Sequence, residues 1–428
     1  MTNKTKQILK TVLQRVEPSK QELETIEKFL EQILKIIKER LKNLKIDAEV
    51  FVGGSFAKNT VIRKDHYDID IFIRYDKKYK EDISILTKKL LKNIKNVSLV
   101  HGSRDYFRIT KSPTLYFELI PVLKIKKPKQ AQNITDLSYS HVKYINKKIK
   151  GSNLLDDIRL AKAFCYANHC YGAESYINGF SGYALELLIY HYGSFIKFIR
   201  AISKIKQDKT FIDIEKHYKN KQFILMDLNS SKLESPIILI DPTNKSRNAL
   251  AALSYETLKE FQKECKKFLK SPSIKAFEIK KTDLEKIKKN ATKSKHEFIL
   301  IEAKTQKQSG DIAGSKLLKF YKHLSFEIEK YFTIKNKGFN YGSKKAARYF
   351  FVVKNKNEIL ITGPNSNDMK NVKAFKKKHL KKTFEKKGRV YAKEKINFNT
   401  KKFIETWKKE NKKRIKEMYI SGLEVIGS

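Results

Sequence analysis

Cysteine is scarce in this 428-residue chain, which carries three. Cys165, Cys170 and Cys265 share no metal-ligand spacing and form no disulfide framework, which points to a reducing, cytoplasmic setting. Long apolar runs are missing too: none approaches the ~18–20 residues that span a bilayer, so no membrane partner is expected. The N-terminus is Lys-rich and polar and has nothing of a signal peptide. Negative charge is the third shortage, with 46 Asp and Glu against 92 Lys and Arg and a formal net charge of +46. No internal repeat is found.

An excess of cations on that scale suits a polyanionic partner, because clustered Lys and Arg gain affinity by releasing counterions from phosphates. Lys greatly outnumbers Arg, so part of the excess is simply the chain's surface preference. The charge supports nucleic-acid binding without saying which nucleic acid. With 40% hydrophobic residues and this length, roughly two to four domains with real cores are expected.

The most informative stretch runs from Gly53-Gly54-Ser55 to Asp68-Ile69-Asp70. Two glycines ahead of Ser55 let backbone amides approach a polyphosphate without Cβ interference. Tyr67-Asp68-Ile69-Asp70-Ile71-Phe72-Ile73 reads as a buried strand, on which Asp68 and Asp70 share a face. Two like charges that close repel, and Mg²⁺ relieves the repulsion while sharing coordination with phosphates. Taken separately, the glycines could be an ordinary turn and the aspartates a solvated strand face. Catalysis by two metal ions calls for a third carboxylate. Glu118 is the one charged residue in the apolar run from Thr114 to Val122. Burying it unpaired would be costly, and a metal or a pairing Lys or Arg would offset that. Glu118 is the expected third ligand.

Helices are expected over 4–15 and 19–45, with strands at 48–52, 68–75, 106–110 and 115–124 and a helix at 82–92, together a small α/β catalytic domain. From Asp136 the pattern turns helical, at 141–148, 154–171, 181–205 and 254–269, interrupted by the apolar Pro236–Pro242 segment. Strands return at 276–280, 297–303, 347–353 and 358–362, and a helix over 402–418 closes the chain. Lys376-Lys377-Lys378 with Lys381-Lys382 reads as a solvated helix face or a track for an RNA backbone. Glu302-Ala303-Lys304 superficially matches a nuclease Glu-x-Lys pattern but, lacking a well-placed upstream Asp, reads as a half-exposed strand.

Gly-Ser, a short gap and Asp-x-Asp are similar to the nucleotidyltransferase superfamily pattern. Over nearly its whole length the chain further resembles the archaeal, class I CCA-adding enzymes, which are tRNA nucleotidyltransferases. The resemblance rests on Val16-Glu17-Pro18-Ser19, on Gly54-Ser55-Phe56-Ala57-Lys58-Asn59-Thr60, and most of all on Tyr171-Gly172-Ala173-Glu174 with Gly179-Phe180-Ser181-Gly182-Tyr183 and Glu186-Leu187-Leu188-Ile189. It continues through His191–Phe195, Asp241-Pro242, Arg247-Asn248-Ala249 and Ala251–Ser254, then more weakly through Gly363-Pro364 and Gly388-Arg389-Val390-Tyr391.

That resemblance implies an α+β multidomain fold: a nucleotidyltransferase palm (a mixed sheet with helices) over 1–135, a helical central domain over 136–272, and an α/β C-terminal body and tail over 273–428. It implies sequential addition of C, C and A to the tRNA 3′ end from CTP and ATP, with two Mg²⁺ ions, a grip on the acceptor stem and TΨC arm, and a homodimer. Asp68, Asp70 and Glu118 match the family's metal carboxylates, Glu118 standing where Asp is usual. Ser55, Lys58, His141, Lys162 and Tyr171 match positions that hold the nucleotide, Lys58 replacing the usual Arg and so losing a bidentate fork. Arg247 matches the arginine implicated in reading the incoming base. Taken alone, Lys162 reads as a surface lysine, Tyr171 as helix-end packing before Gly172, and His141 as structural. Arg247 sits in a Pro/Asn turn region where a planar guanidinium suits base-edge recognition. A poly(A)- or oligoadenylate-type polymerase, or an RNA-binding protein with a dead catalytic domain, would share the superfamily motif.

Overall fold

The computed structural model describes residues 2–427 except Ser103, Lys150, Gly151, Gln207, Lys281, Ser343, Leu380, Lys381 and Lys382. It forms two compact units, Met1–Lys280 and Lys281–Ser428. The expected palm and the whole of the expected central domain both fall in the first.

Helices α1 (Asn3–Val16) and α2 (Lys20–Asn43) open the chain. Ser19 starts α2 with a capping box: its hydroxyl accepts from Glu22 N–H, and the Glu22 carboxylate accepts from Ser19 N–H at 2.7 Å. Ile26, Leu30, Ile33, Ile37 and Leu41 form the stripe that α2 buries against the first sheet. That sheet contains β1 (Ala48–Val52), β2 (Tyr67–Tyr75), β3 (Val97–Val100), β4 (Tyr106–Ser112) and β5 (Leu115–Leu123), with α3 (Ile83–Leu90) crossing between β2 and β3. Strand order is β1-β2-β5-β4-β3, and β2 and β5 are parallel while their other neighbours are antiparallel. The two near-continuous apolar runs thus become the central strands, where both faces are covered. Their register sets Asp70 opposite Glu118.

Next come α4 (Ser138–Ile149), α5 (Leu154–Ala167), α6 (Gly182–Tyr192), α7 (Phe195–Ile202), α8 (Lys221–Asp227) and α9 (Tyr255–Lys270). Phe164, Phe180, Phe195, Phe198, Phe261 and Phe268 pack edge to face at their centre. The single helix expected over 181–205 is two, because Gly193 turns left-handed (φ +77) and Ser194 then caps α7. Helix α5 stops at Ala167, before the expected 171, and leaves Tyr171 bridged to Phe180. A small sheet of β6 (Thr210–Asp213), β7 (Ile237–Asp241) and β8 (Asn244–Asn248) makes this region less purely helical than expected. The interrupting apolar segment is β7, its fully buried middle strand, and Arg247 lies on β8 rather than in a turn. The strand expected at 276–280 is instead a short 3₁₀ turn, Ile274–Phe277.

The second unit has α10 (Leu284–Lys293), β9 (Glu297–Lys304), α11 (Asp311–Tyr331), β10 (Phe332–Tyr341), β11 (Ala346–Asn355), β12 (Glu358–Asn365), α12 (Met369–Lys378), β13 (Thr383–Lys386), β14 (Arg389–Lys395), α13 (Thr400–Glu410), α14 (Lys412–Glu417) and β15 (Gly422–Gly427). Its larger sheet runs β10-β11-β9-β15, and its smaller one β12-β14-β13. Leu317, Phe320, Tyr321, Leu324 and Ile328 of α11 join Tyr349, Phe351 and Trp407 in the core. Sequence reading assigns no element to 305–346, where α11 and β10 stand. The helix expected over 402–418 is two, α13 and α14. Glu302 is half-exposed on β9 and paired with Lys304 (3.1 Å) and Arg348 (3.6 Å), as a plain strand residue would be. Lys376–Lys378 close α12 on its exposed side, while Lys381 and Lys382 lie outside the described residues. Among the described residues, no helix is long and apolar enough to cross a membrane.

Candidate functional site

The loop after β1 folds back across β2 because its glycines allow it. Gly53 N–H donates to Asp70 O at 2.8 Å, and a Cβ at Gly53 would strike the Phe72 ring at 2.3 Å. Gly54 is left-handed (φ +59), and a Cβ there would sit 1.8 Å from Asp70 Oδ2. Glycine at 54 is therefore what lets the loop rest on that carboxylate.

Asp70 lies half-buried beneath the loop, and burial, then Glu118 and Asp68, push its carboxyl up to about 7. Asp68 has Lys64 Nζ and His66 Nε2 each at 3.5 Å. Glu118 also titrates higher than usual through burial, opposed by Arg108 on β4. Arg108 donates to Glu118 Oε1 from NH2 at 2.6 Å and Nε at 3.1 Å, leaving Oε2 outside the pair. Of the two compensations foreseen for a carboxylate in that strand, the arginine is the one in place. Among the described residues, no group of three or more His, Cys, Asp or Glu side chains stands ready to hold a metal ion. Asp68 and Asp70 nevertheless fit a divalent cation: they share one face of β2, and burial, then the Glu118 and Asp68 charges, all disfavour an uncompensated charge on Asp70. Glu118 would join once released from Arg108.

A second cluster forms where α5 and α6 meet the loop. Glu186, wholly buried on α6, receives Lys58 Nζ on Oε2 at 2.6 Å, and Lys162 Nζ on Oε1 at 2.8 Å. Thr60 Oγ1 donates to the same Oε1 at 2.8 Å and accepts from Lys162 at 2.7 Å. Burial works against the Glu186 charge, but Lys162 and Lys58 outweigh it and hold the carboxyl down to about 2. Burial, only partly offset by Glu186, brings the Lys162 ammonium down to about 8.

A third cluster centres on Asp241, at the end of β7. His141 Nε2 lies 3.0 Å from Oδ2, Arg247 NH1 donates to Oδ2 at 2.6 Å, and Tyr183 OH donates to Oδ1 at 3.0 Å. Thr243 adds its N–H and hydroxyl to Oδ1, both at 2.8 Å. Against the pull of burial, His141 and Arg247 keep the Asp241 carboxyl below its ordinary range, while burial lowers His141. Tyr183 joins the two clusters. It stacks on His141 at 4.0 Å, with Lys58 Nζ 5.8 Å and Arg247 Cζ 5.7 Å from its ring centre.

Ser55, Asp68, Lys162 and Tyr171 line one narrow cleft of about 20 Å³, together with Thr60 and Lys64. Gly182 keeps it open, since a Cβ there would press the Tyr171 hydroxyl at 3.0 Å. Lys58 shares Glu186 with Lys162, and His141 and Arg247 gather on Asp241. Glu186, Asp241, Tyr183 and Arg108 were given no site role by sequence reasoning. Glu186 carried a usable signal, being the lone charge in Ala184-Leu185-Glu186-Leu187-Leu188-Ile189.

Residues 14–138 match the family described as nucleotidyltransferase domain, and residues 156–278 match tRNA nucleotidyltransferase, second domain. A CCA-adding enzyme of Nanoarchaeum equitans is 44% identical over 242 residues, covering 56% of this chain and 59% of that one. A CCA-adding enzyme of Saccharolobus islandicus is 31% identical over 326 residues, covering 75% of this chain and 71% of that one. The chain belongs to the CCA-adding enzyme family. It spans about three-fifths of the length of several of the curated relatives that it matches. A solved structure of the Cid1 poly(U) polymerase bound to MgATP superposes with a TM-score of 0.52 at 14% identity, covering 65% of this chain and 99% of that one, a likeness of fold. Within this family member, the first matched region holds Ser55, Lys58, Asp68, Asp70 and Glu118, and the second holds Lys162, Tyr171 and Arg247. His141 falls between them.

Proposed function

We propose that this chain adds C, C and A in turn to the 3′ end of tRNA from CTP and ATP, releasing pyrophosphate and using no nucleic-acid template. The observation that carries the reading is the cleft where Ser55, Asp68, Lys162 and Tyr171 meet beside the Gly54 loop. It offers phosphate-seeking donors and the Asp68 carboxylate within one small space.

In the reaction, the tRNA 3′-oxygen forms a bond to the α-phosphorus and the bond to the pyrophosphate oxygen breaks. Asp68 and Asp70, with Glu118, would hold two Mg²⁺ ions, which when bound supply a lowered pKa for the hydroxyl and charge neutralisation for pyrophosphate. Ser55 and the loop amides face the triphosphate. Lys58 and Lys162 exchange part of their hold on Glu186 for phosphate oxygens, and the Tyr171 hydroxyl donates beside them. Arg247, partly exposed and held to Asp241 through NH1, is the planar donor group for the incoming base. His141 and Tyr183 fix its guanidinium through Asp241.

The three buried, free cysteines support a cytoplasmic setting. By family resemblance, the acceptor stem and TΨC arm are the part of tRNA held, and the working form is a homodimer. The test is incorporation of labelled CTP and ATP, alone and together with Mg²⁺, into a tRNA transcript lacking CCA. Two C residues with CTP alone and one A once ATP is present are expected. A long A tail, or tight tRNA binding without incorporation, would overturn the reading.

A further inference from the structure

The smaller sheet of the second unit has one covered face and one open face, and the open one is built in an unusual way. Strands β13 and β14 join through Lys387-Gly388, both left-handed (φ +51 and +71), the two-residue turn that best fits strand twist. This tight turn fixes the register: Lys386 faces Arg389, Phe384 faces Tyr391, and across β12 Thr362 faces Tyr391 and Leu360 faces Lys393. Directly opposed residues share a face, so Leu360, Phe384, Lys386, Arg389, Tyr391 and Lys393 lie together. Val390 and Ala392 point to the other face and are buried. That side is covered by α12: the Phe375 ring presses on Gly363, and His379 Nδ1 lies 2.6 Å from Glu394 Oε1.

On the open face the Phe384 and Tyr391 rings stack at 5.7 Å and 23°. Phe384 is 38% exposed and Leu360 55% exposed, although aromatic and aliphatic side chains gain by burial. Lys386 and Arg389 flank the rings, and Lys393 stands near Glu358 at 3.7 Å. The face is therefore apolar at its middle and cationic at its rim.

We propose that this face is a stacking platform for unpaired nucleotides of an RNA strand. Charge complementarity calls for a polyanion, and the exposed ring pair calls for planar partners. Duplex RNA supplies the charge but keeps its base faces covered, so single-stranded nucleotides alone use both halves of the surface. The choice of RNA over other polyanions rests on the function proposed above. The ligand is thus a few splayed-out bases on Phe384 and Tyr391, with their phosphates on Lys386 and Arg389.

The test is equilibrium binding by the full chain, without nucleotide, of a short single-stranded RNA of mixed sequence and of its blunt-ended duplex. Phe384→Leu with Tyr391→Leu keeps apolar bulk and removes the rings. It should weaken single-strand binding about tenfold or more and leave duplex binding unchanged. Lys386→Ala with Arg389→Ala should lower the salt-dependence slope for the single strand by about 1.4 units, the value for two phosphates. Unchanged single-strand affinity in the leucine variant, equal loss for strand and duplex, or an unaltered slope would overturn the proposal. Because binding is read without CTP or ATP, failure here is separate from failure to add C and A.

Discussion

The Glu186 and Asp241 clusters adjoin through Tyr183, yet they are made of opposite kinds of donor. Glu186 holds two ammonium groups and a hydroxyl, all wholly or nearly buried. Ammonium groups are point charges that rotate freely, so they pass readily from one oxygen anion to another. Asp241 holds an imidazole, a guanidinium and a phenol, each planar and directional. The first cluster stores charge; the second stores orientation. A nucleotide asks for both, since its triphosphate is recognised by charge and its base by the positions of donors and acceptors.

Removing Glu186 should produce the largest effect, because it strands two buried cations. Glu186→Ala is expected to destabilise the first unit by about 3–5 kcal/mol, read by denaturant unfolding. A loss no larger than that of a surface substitution would refute the charge-storing role. The next test separates the clusters by function. Arg247→Ala should degrade selection of CTP and ATP over GTP and UTP by about 10- to 100-fold while sparing tRNA affinity. Lys58→Ala should slow all nucleotides alike. If Arg247→Ala slowed all four equally, orientation would not be its contribution.

The smallest effect concerns acid. Glu186 is held down to about 2, below the 4.5 of an ordinary glutamate, so its charged form stabilises the fold above about pH 4.5. That contribution is lost as pH falls towards 2. The melting-temperature gap between the wild-type chain and Glu186→Gln should accordingly narrow between pH 5 and pH 2. A gap independent of pH would mean that the carboxylate charge adds nothing.

These clusters also mark the limit of what the sequence made legible. Asp68, Asp70 and Glu118 could be read because strand geometry has a period of two and a lone charge in an apolar run stands out. Glu186 offered the same signal on a helix, but a helix that is apolar almost all round gives no face on which to place it. Its two lysine partners are 128 and 24 residues away in sequence, and only the fold brings them together. Arg108, which claims Glu118, stands only 10 residues away on the preceding strand, and it was missed because the hairpin register that sets the two opposite each other was not read. The break at Gly193 was written in a single residue, whereas apolar periodicity continued straight across it. Helix α11 was missed where lysines and aromatic residues are interleaved and blur the stripe of Leu317, Phe320, Tyr321, Leu324 and Ile328.

Gly54 has a practical consequence. A single methyl group at that position would collide with the Asp70 carboxylate while changing no charge, no lysine and no hydrogen-bond donor. Alanine at 54 is thus a neutral wedge between the glycine loop and the acid it covers. Substituting the carboxylates would remove charge from the site; the wedge would instead force the loop and the Asp70 carboxylate apart while keeping every charge. It offers a way to vary the spacing between loop and acid separately from their charge.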